Sequence, residues 1–275
     1  MAKFRLISIL FVMLAAVACA PAYDPLNEDE GFRGPLVRDE SPEAGETEET
    51  ETADPTQGKT EQATGFYSNG KLLNGLALPL EGFGFLKIQR PRNRHFSTFD
   101  LIEVIKATAK LMKEAFPNGE RLQIGDMSWQ KGGKLSSHKS HQNGLDADIA
   151  YFRRDRREQN PALNIPFDEG FVKNGKLTAN FDVERNWHFF NVMVSTGRVK
   201  RLFVDAVIKR EMCAYARKLG LDTEKSETLR RMRIEPLHHD HVHLRISCPK
   251  KSPNCQQQLD PPEGSACDAL WPEEL

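Results

Sequence analysis

The sequence predicts an α+β domain: an antiparallel sheet, helices packed mainly on one of its faces, and a polar site on the other. Three observations lead there. Residues 241–246 read His-Val-His-Leu-Arg-Ile, so His241, His243 and Arg245 share one face of a strand while Val242, Leu244 and Ile246 share the other. Residues 145–152 form a second strand-like segment, with Asp146 and Asp148 on one side and Leu145, Ala147 and Ile149 on the other. Three further segments carry apolar residues at helical spacing.

Taken in order, the elements begin with a targeting signal. Lys3 and Arg5 precede an apolar run, residues 6–17, that is too short to span a bilayer, and Ala16-Val17-Ala18 reads as a small-residue cleavage site. Residues 1–18 are expected to be a signal peptide, leaving Cys19 as the first mature residue. Cys19 is then either the acylated residue of a lipoprotein, anchoring the chain to a membrane, or a cysteine left by ordinary signal-peptidase cleavage. Ala16 stands where lipoprotein signals usually carry leucine. The long polar stretch that follows is what a tether needs, and the lipidated reading is the one expected here.

Residues 19–62 are expected to be a disordered acidic tether. Positions 21–62 carry 13 acidic and 3 basic side chains and almost no apolar periodicity, too little apolar surface to offset chain entropy. A flexible segment of that length has an r.m.s. span of roughly 35 Å. The remaining body, residues 63–275, has a net charge of +7. That balance suits an anionic polymer as substrate or neighbour. It is too weak to argue for nucleic acid, and no nucleic-acid motif is present.

Within the body, Ser97 or Thr98 can cap a helix through Leu101, Val104, Ile105, Leu111 and Met112 that ends before Pro117. Residues 121–125 read as a short strand and residues 131–134, Lys-Gly-Gly-Lys, as a turn. The strand at 145–152 follows. Residues 182–196 have helical spacing, with Trp187, Phe190 and Val194 facing a core. Residues 198–204 read as a strand, and 206–219 as a helix stopped by Gly220. Cys213, Cys248, Cys255 and Cys267 make an even count in an exported chain and predict two disulfides. Thiolate zinc ligation is the alternative, but the spacings match no zinc-ribbon pattern.

Six of the eight histidines lie in two short stretches. The first runs from His138 through His141 to Asp148, and the second is His238-His239-Asp240-His241-Val242-His243. His141, Asp148 and His243 offer nitrogen, oxygen and nitrogen ligation, the donor set of a catalytic zinc that keeps one position open. His138 is a further candidate ligand or a substrate contact. His241, on the same face as His243, is a candidate general base or oxyanion stabiliser, and His238 is placed to take the complementary role. His95, His188 and His239 are assigned no role.

These residues resemble the penicillin-insensitive murein endopeptidases, within the wider group of lysostaphin-type endopeptidases, D-Ala-D-Ala peptidases and the hedgehog signalling domain. The shared pattern is His-x6-Asp and His-x-His, here His141 to Asp148 and His241 to His243. Longer similar stretches are Ser68-Asn69-Gly70, Ile124-Gly125-Asp126-Met127, Gly132-Gly133, residues 138–149, and residues 238–249 ending in Cys248-Pro249. The similarity covers residues 65–270. It implies zinc on His141, Asp148 and His243 with His138 beside or within the shell, and catalytic roles for His241 and His238. It also implies the pairings Cys248–Cys255 and Cys213–Cys267. The implied substrate is the D-alanyl–diaminopimelyl cross-link of peptidoglycan, which places the protein in the periplasm, tethered to the outer membrane if Cys19 is acylated. Two departures stand out. Lys71 replaces a cysteine found in some members, so that bridge is expected to be absent. Asn174-Gly175-Lys176-Leu177 stands where some carry Asp-Gly-x-His, so no second zinc is carried over. A D-Ala carboxypeptidase or dipeptidase would use the same metal chemistry. A zinc-bearing lipoprotein that only binds peptidoglycan would not need His238 and His241. Oligomeric state carries no signal in the sequence.

Overall fold

Seven strands form one mixed sheet in the computed structural model, which describes residues 60–270. The expected signal peptide, Cys19 and the tether up to residue 59 lie outside the described residues. The strands in chain order are β1 (Gln62–Phe66), β2 (Asn69–Leu73), β3 (Leu76–Ala77), β4 (Glu81–Gly82), β5 (Phe85–Lys87), β6 (Phe96–Ser97), β7 (Leu122–Ile124), β8 (Asp146–Ala150), β9 (Val172–Lys173), β10 (Lys176–Leu177), β11 (Val199–Val204), β12 (Met232–Ile234) and β13 (His241–Ile246). The helices are α1 (Phe99–Ala115), α2 (Val183–Ser195), α3 (Ala206–Lys218) and the short α4 (Glu227–Arg231). β1 begins at Gln62, one residue inside the stretch assigned to the tether. Among the described residues no helix is long and apolar enough to cross a membrane.

The sheet order is β12-β11-β13-β8-β7-β5-β4. Its four inner strands, β11, β13, β8 and β7, pair antiparallel, as the sequence predicts. The flanking pairs β11–β12 and β5–β7 are parallel, which corrects the expectation of a purely antiparallel sheet. Each parallel pair is joined by a helical connection, α1 between β5 and β7, and α3 with α4 between β11 and β12. A parallel neighbour requires such a crossover because the chain must return to the same end of the sheet. β5 and β12 are three residues each, too short for a period of two to register.

The expected helices form with small shifts at their ends. Thr98 is the N-cap of α1, and Pro117 follows the helix after Phe116. Leu101, Ile102, Val104, Ile105, Thr108, Ala109 and Met112 are buried, but Leu111 is 42% exposed. Helical spacing alone groups Leu111 with the apolar residues, yet it lies ten residues after Leu101, about 80° short of a whole number of turns at 3.6 residues per turn. Asp182 caps α2 by accepting from Arg185 N, and Asp205 caps α3 by accepting from Val207 N. Val242, Leu244 and Ile246 of β13 and Ala147 and Ile149 of β8 join a core with Ile105, Phe190 and Ile208 of the three long helices.

Two disulfides are present, Cys213–Cys267 and Cys248–Cys255, the pairing that the resemblance implies. The first joins α3 to the C-terminal segment across 54 residues, a constraint on the unfolded chain worth about 4 kcal/mol. Lys71 sits in β2 opposite Thr64. Asn174 and Gly175, both at positive φ, form the two-residue turn of the β9–β10 hairpin.

Candidate metal centre

Strand register builds the site. In the β8–β13 pair His243 lies opposite Asp148 and Arg245 opposite Asp146. Directly opposed side chains share a face, so the two carboxylates, the imidazole and the guanidinium form two rungs of one polar surface. The alternate residues are core. The period of two thus delivers polar groups to one surface at no cost to the packing of the other.

His141 arrives from the turn before β8. Its backbone is left-handed, with φ 65°, an unusual conformation for a residue with a side chain. Its N–H donates to Asp146 Oδ2 at 2.9 Å, and Gly144, at φ 74°, lets the chain pass close to Leu72 and Ser97. The buried ring of His141 places Nδ1 2.9 Å from the carbonyl of Met127. A carbonyl only accepts, so Nδ1 carries the hydrogen and Nε2 is left with a lone pair. That Nε2 is buried without a hydrogen-bond partner, as is Asp148 Oδ1.

These orphaned atoms converge. Asp148 Oδ1 lies 3.2 Å from His141 Nε2 and 3.3 Å from His243 Nδ1. Ligands of a tetrahedral zinc, bonded at roughly 2.0–2.1 Å, sit about 3.3 Å from one another. Those two spacings, and the nitrogen and oxygen donors that make them, suit a metal ion such as zinc. His138 belongs to the same group: with His141 and Asp148 it presents ligand atoms all within 4.8 Å of one another. Its Nδ1 is 3.7 Å from Asp148 Oδ2, and its Nε2 is 3.0 Å from Asp126 Oδ2.

His241 and His238 stand beside this group. His241 Nε2 is 3.6 Å from Asp148 Oδ1, while its Nδ1 bonds Asp240 Oδ1 at 2.5 Å. Its ring stacks on Phe167 with centroids 4.8 Å apart. The His238 ring is 5.0 Å from that of His241 and 5.9 Å from that of His243. Its Nδ1 faces the carbonyls of Glu235 and Pro236, so its Nε2 is the free nitrogen. The six histidine and aspartate positions singled out in the sequence are therefore neighbours. His95 stacks on Phe96, His188 meets the ring of Phe116, and the exposed His239 lies against Gly170.

Electrostatics follow from burial and from the crowding of opposite charges. Burial pushes the His243 imidazole down to about 4, which keeps it neutral and able to ligate. Burial also opposes a charge on His141, but the Asp148 carboxylate outweighs it and raises the imidazole pKa. Burial would raise Asp148, yet the His141 and His241 charges hold it well below the carboxylate range. His238 is lowered by burial and by the His241 charge. His241 is raised because Asp148 and Asp240 overcome its burial.

Several participants escaped sequence reasoning. Asp146, seen only as a same-face neighbour of Asp148, bonds His141 N, accepts from Arg245 Nε at 2.7 Å, and lies 3.1 Å from His243 Nε2. Asp126, buried in its loop, accepts from Arg92 and Arg94 and orients His138. Phe167 and the Met127 carbonyl carry no local signal, because a loop phenylalanine and a backbone oxygen are chemically unmarked.

Known proteins resemble this chain over most of its length. The model of the penicillin-insensitive murein endopeptidase family matches residues 63–274. The penicillin-insensitive murein endopeptidase of Pectobacterium atrosepticum is 33% identical over 225 residues, covering 80% of this chain and 76% of that protein. That of Klebsiella pneumoniae strain 342 is 31% identical, covering 77% and 76%, and that of Haemophilus influenzae is 31% identical, covering 75% and 71%. With a cluster of His138, His141 and Asp148 that could hold a metal, and a family match spanning nearly all of its folded body, the chain belongs to the penicillin-insensitive murein endopeptidase family.

Proposed function

We propose that the protein is a zinc-dependent endopeptidase that hydrolyses D-alanyl–diaminopimelyl cross-links in peptidoglycan. The observation that carries this reading is the convergence of His141 Nε2, Asp148 Oδ1 and His243 Nδ1, two of them buried and unpartnered, at the spacing of zinc ligands. His141, Asp148 and His243 hold the metal, and His138, steadied by Asp126, stands at the edge of the shell. The site occupies the sheet face opposite the packed helices, since His241, His243 and Arg245 alternate with core residues.

Zinc held there supplies Lewis acidity toward the scissile carbonyl and toward water. His241, tied through Nδ1 to Asp240, offers Nε2 to take the proton of the attacking water and return it to the leaving amine. His238, whose Nδ1 hydrogen is held by the carbonyls of Glu235 and Pro236, offers the lone pair of Nε2 as a proton acceptor, and supports a developing oxyanion only once that nitrogen is protonated. Asp146 keeps His141 and His243 in place without touching the substrate.

Residues 1–18 serve in this reading as a signal peptide, 19–62 as an acidic tether from an acylated Cys19, and 63–275 as the peptidase domain in the periplasm. Intact mass spectrometry of protein from its host checks the anchor; an unmodified N-terminus removes it and leaves the peptidase domain unaffected. The peptidase reading itself is tested by digesting purified sacculi with the zinc-loaded protein and identifying products by mass spectrometry. Conversion of cross-linked dimers to monomers is expected. Release of terminal D-alanine alone would make the protein a carboxypeptidase, and binding without products would make it a binding protein.

A further inference from the structure

The polar face of the sheet continues past the metal centre onto β11 and β12. Phe203 pairs with His243 on one side and with Arg233 on the other, and Arg201 pairs with Arg245. Paired residues share a face, so Arg201 and Arg233 belong to the same surface as the histidines. Contacts agree: the Phe203 ring meets His243 edge-on at 5.2 Å, and the Arg245 guanidinium lies 5.0 Å from the centre of that ring.

The charges on this extension are unbalanced. Arg201 is 8% exposed and, among the described residues, donates to the carbonyls of Lys200 and Leu259. Arg233 is half-buried and, among the described residues, has no ion-pair partner. Three carboxylates of this region are engaged elsewhere: Asp260, which also attracts Arg201, with Lys200 and Arg231, Asp146 with Arg245, and Glu227 with Arg230 and Arg231. Burial and the neighbouring Arg233 and Arg231 push the Arg201 guanidinium below its ordinary pKa. A buried guanidinium facing other cations is unfavourable unless an anion completes the group.

We propose that Arg233, backed by Arg201, forms a carboxylate-binding subsite for the peptide substrate. This rests on the peptidase reading and adds to it a requirement for a free carboxylate at a set distance from the cleaved bond. Adjacent strands lie about 4.8 Å apart, so the Arg233 backbone is roughly 10 Å from that of His243. An extended peptide advances roughly 3.3–3.6 Å per residue. A carboxylate two or three residues from the scissile carbonyl therefore reaches the guanidinium. Phe203 supplies the apolar floor between the two points, and the planar fork of arginine matches a carboxylate in two hydrogen bonds.

The test is equilibrium binding, by calorimetry, of an uncross-linked stem tetrapeptide muropeptide to the zinc-loaded mature protein, with its carboxylates free or amidated. The free form is expected to bind on the order of tenfold more tightly, as a charge-assisted pair contributes. Arg233→Gln should bring the free form to the affinity of the amidated one, with zinc content and melting temperature unchanged. Lys110→Gln, on the exposed face of α1, should change nothing. Should the glutamine variant unfold, Arg233→Lys gives the same reading, with weakened binding of the free form alone. Equal affinities for the two forms, an unaffected Arg233 variant, an equal loss in Lys110→Gln, or no binding by the parent protein would each overturn the subsite. Failure of the peptidase reading appears instead in sacculus digestion, which this titration does not require.

Discussion

His243 and His241 sit two residues apart on one strand, yet the structure gives them different neighbours. His243 Nδ1 faces Asp148 Oδ1 and its other nitrogen lies beside Asp146, so the ring is positioned from both sides. His241 is bonded to Asp240 and stacked on Phe167, with its Nε2 further from Asp148. The expected outcome is a split between the two. His243→Ala loses zinc and hydrolysis together, because three protein ligands leave no spare. His241→Ala retains zinc and loses turnover on the order of a hundredfold or more, the usual loss for a proton-transfer group. Metal analysis alongside sacculus digestion checks both. Full zinc in the first variant, or parental rates in the second, would contradict the assignment. The histidines could be found in the sequence because imidazole is rare and chemically marked. The positive φ of His141 and the Met127 carbonyl that fixes its tautomer could not, since both are properties of the folded backbone.

At the scale of elements, α3 is fastened to its surroundings by a buried lysine. Lys209 is 2% exposed, and its Nζ donates to the carbonyls of Leu229 in α4 and Ser265 in the C-terminal segment. Burial pushes its pKa down to about 7, with the Arg233 charge adding to the shift. Between about 7 and the ordinary lysine value of 10.5 the unfolded chain holds a proton that the folded chain has lost. The unfolded state therefore binds more protons there, and stability rises with pH through that window. The full effect is present above the upper value and absent below the lower one. Lys209→Met is expected to flatten this rise, as read from urea unfolding at several pH values between 7 and 10. An equal slope in both proteins would show that Lys209 is not its source. Helical spacing places α3 and the flanking strand correctly, but a lysine inside a helix reads as surface. Only the packing of α4 and residues 264–267 over it shows otherwise.

For the whole molecule, the expected chemistry predicts its inhibitors. β-Lactams acylate a serine nucleophile, and the candidate site holds imidazoles and carboxylates instead. Chelators are expected to abolish sacculus digestion and β-lactams to leave it unchanged. A covalent penicilloyl adduct accompanied by loss of activity would overturn the mechanism. The sequence by itself determined the α+β class, the antiparallel inner strands and the polar face of β13, because periodicity is local and each strand encodes its own two sides. It also marked the candidate metal ligands, because their chemistry is distinctive wherever they fall. Only the tertiary structure decided the parallel β11–β12 and β5–β7 pairs, the burial of Lys209, the orienting role of Asp126 and the row from His243 through Phe203 to Arg233. Each depends on which strand lies beside which, and such pairings join residues far apart in the chain through contacts that neither segment encodes alone.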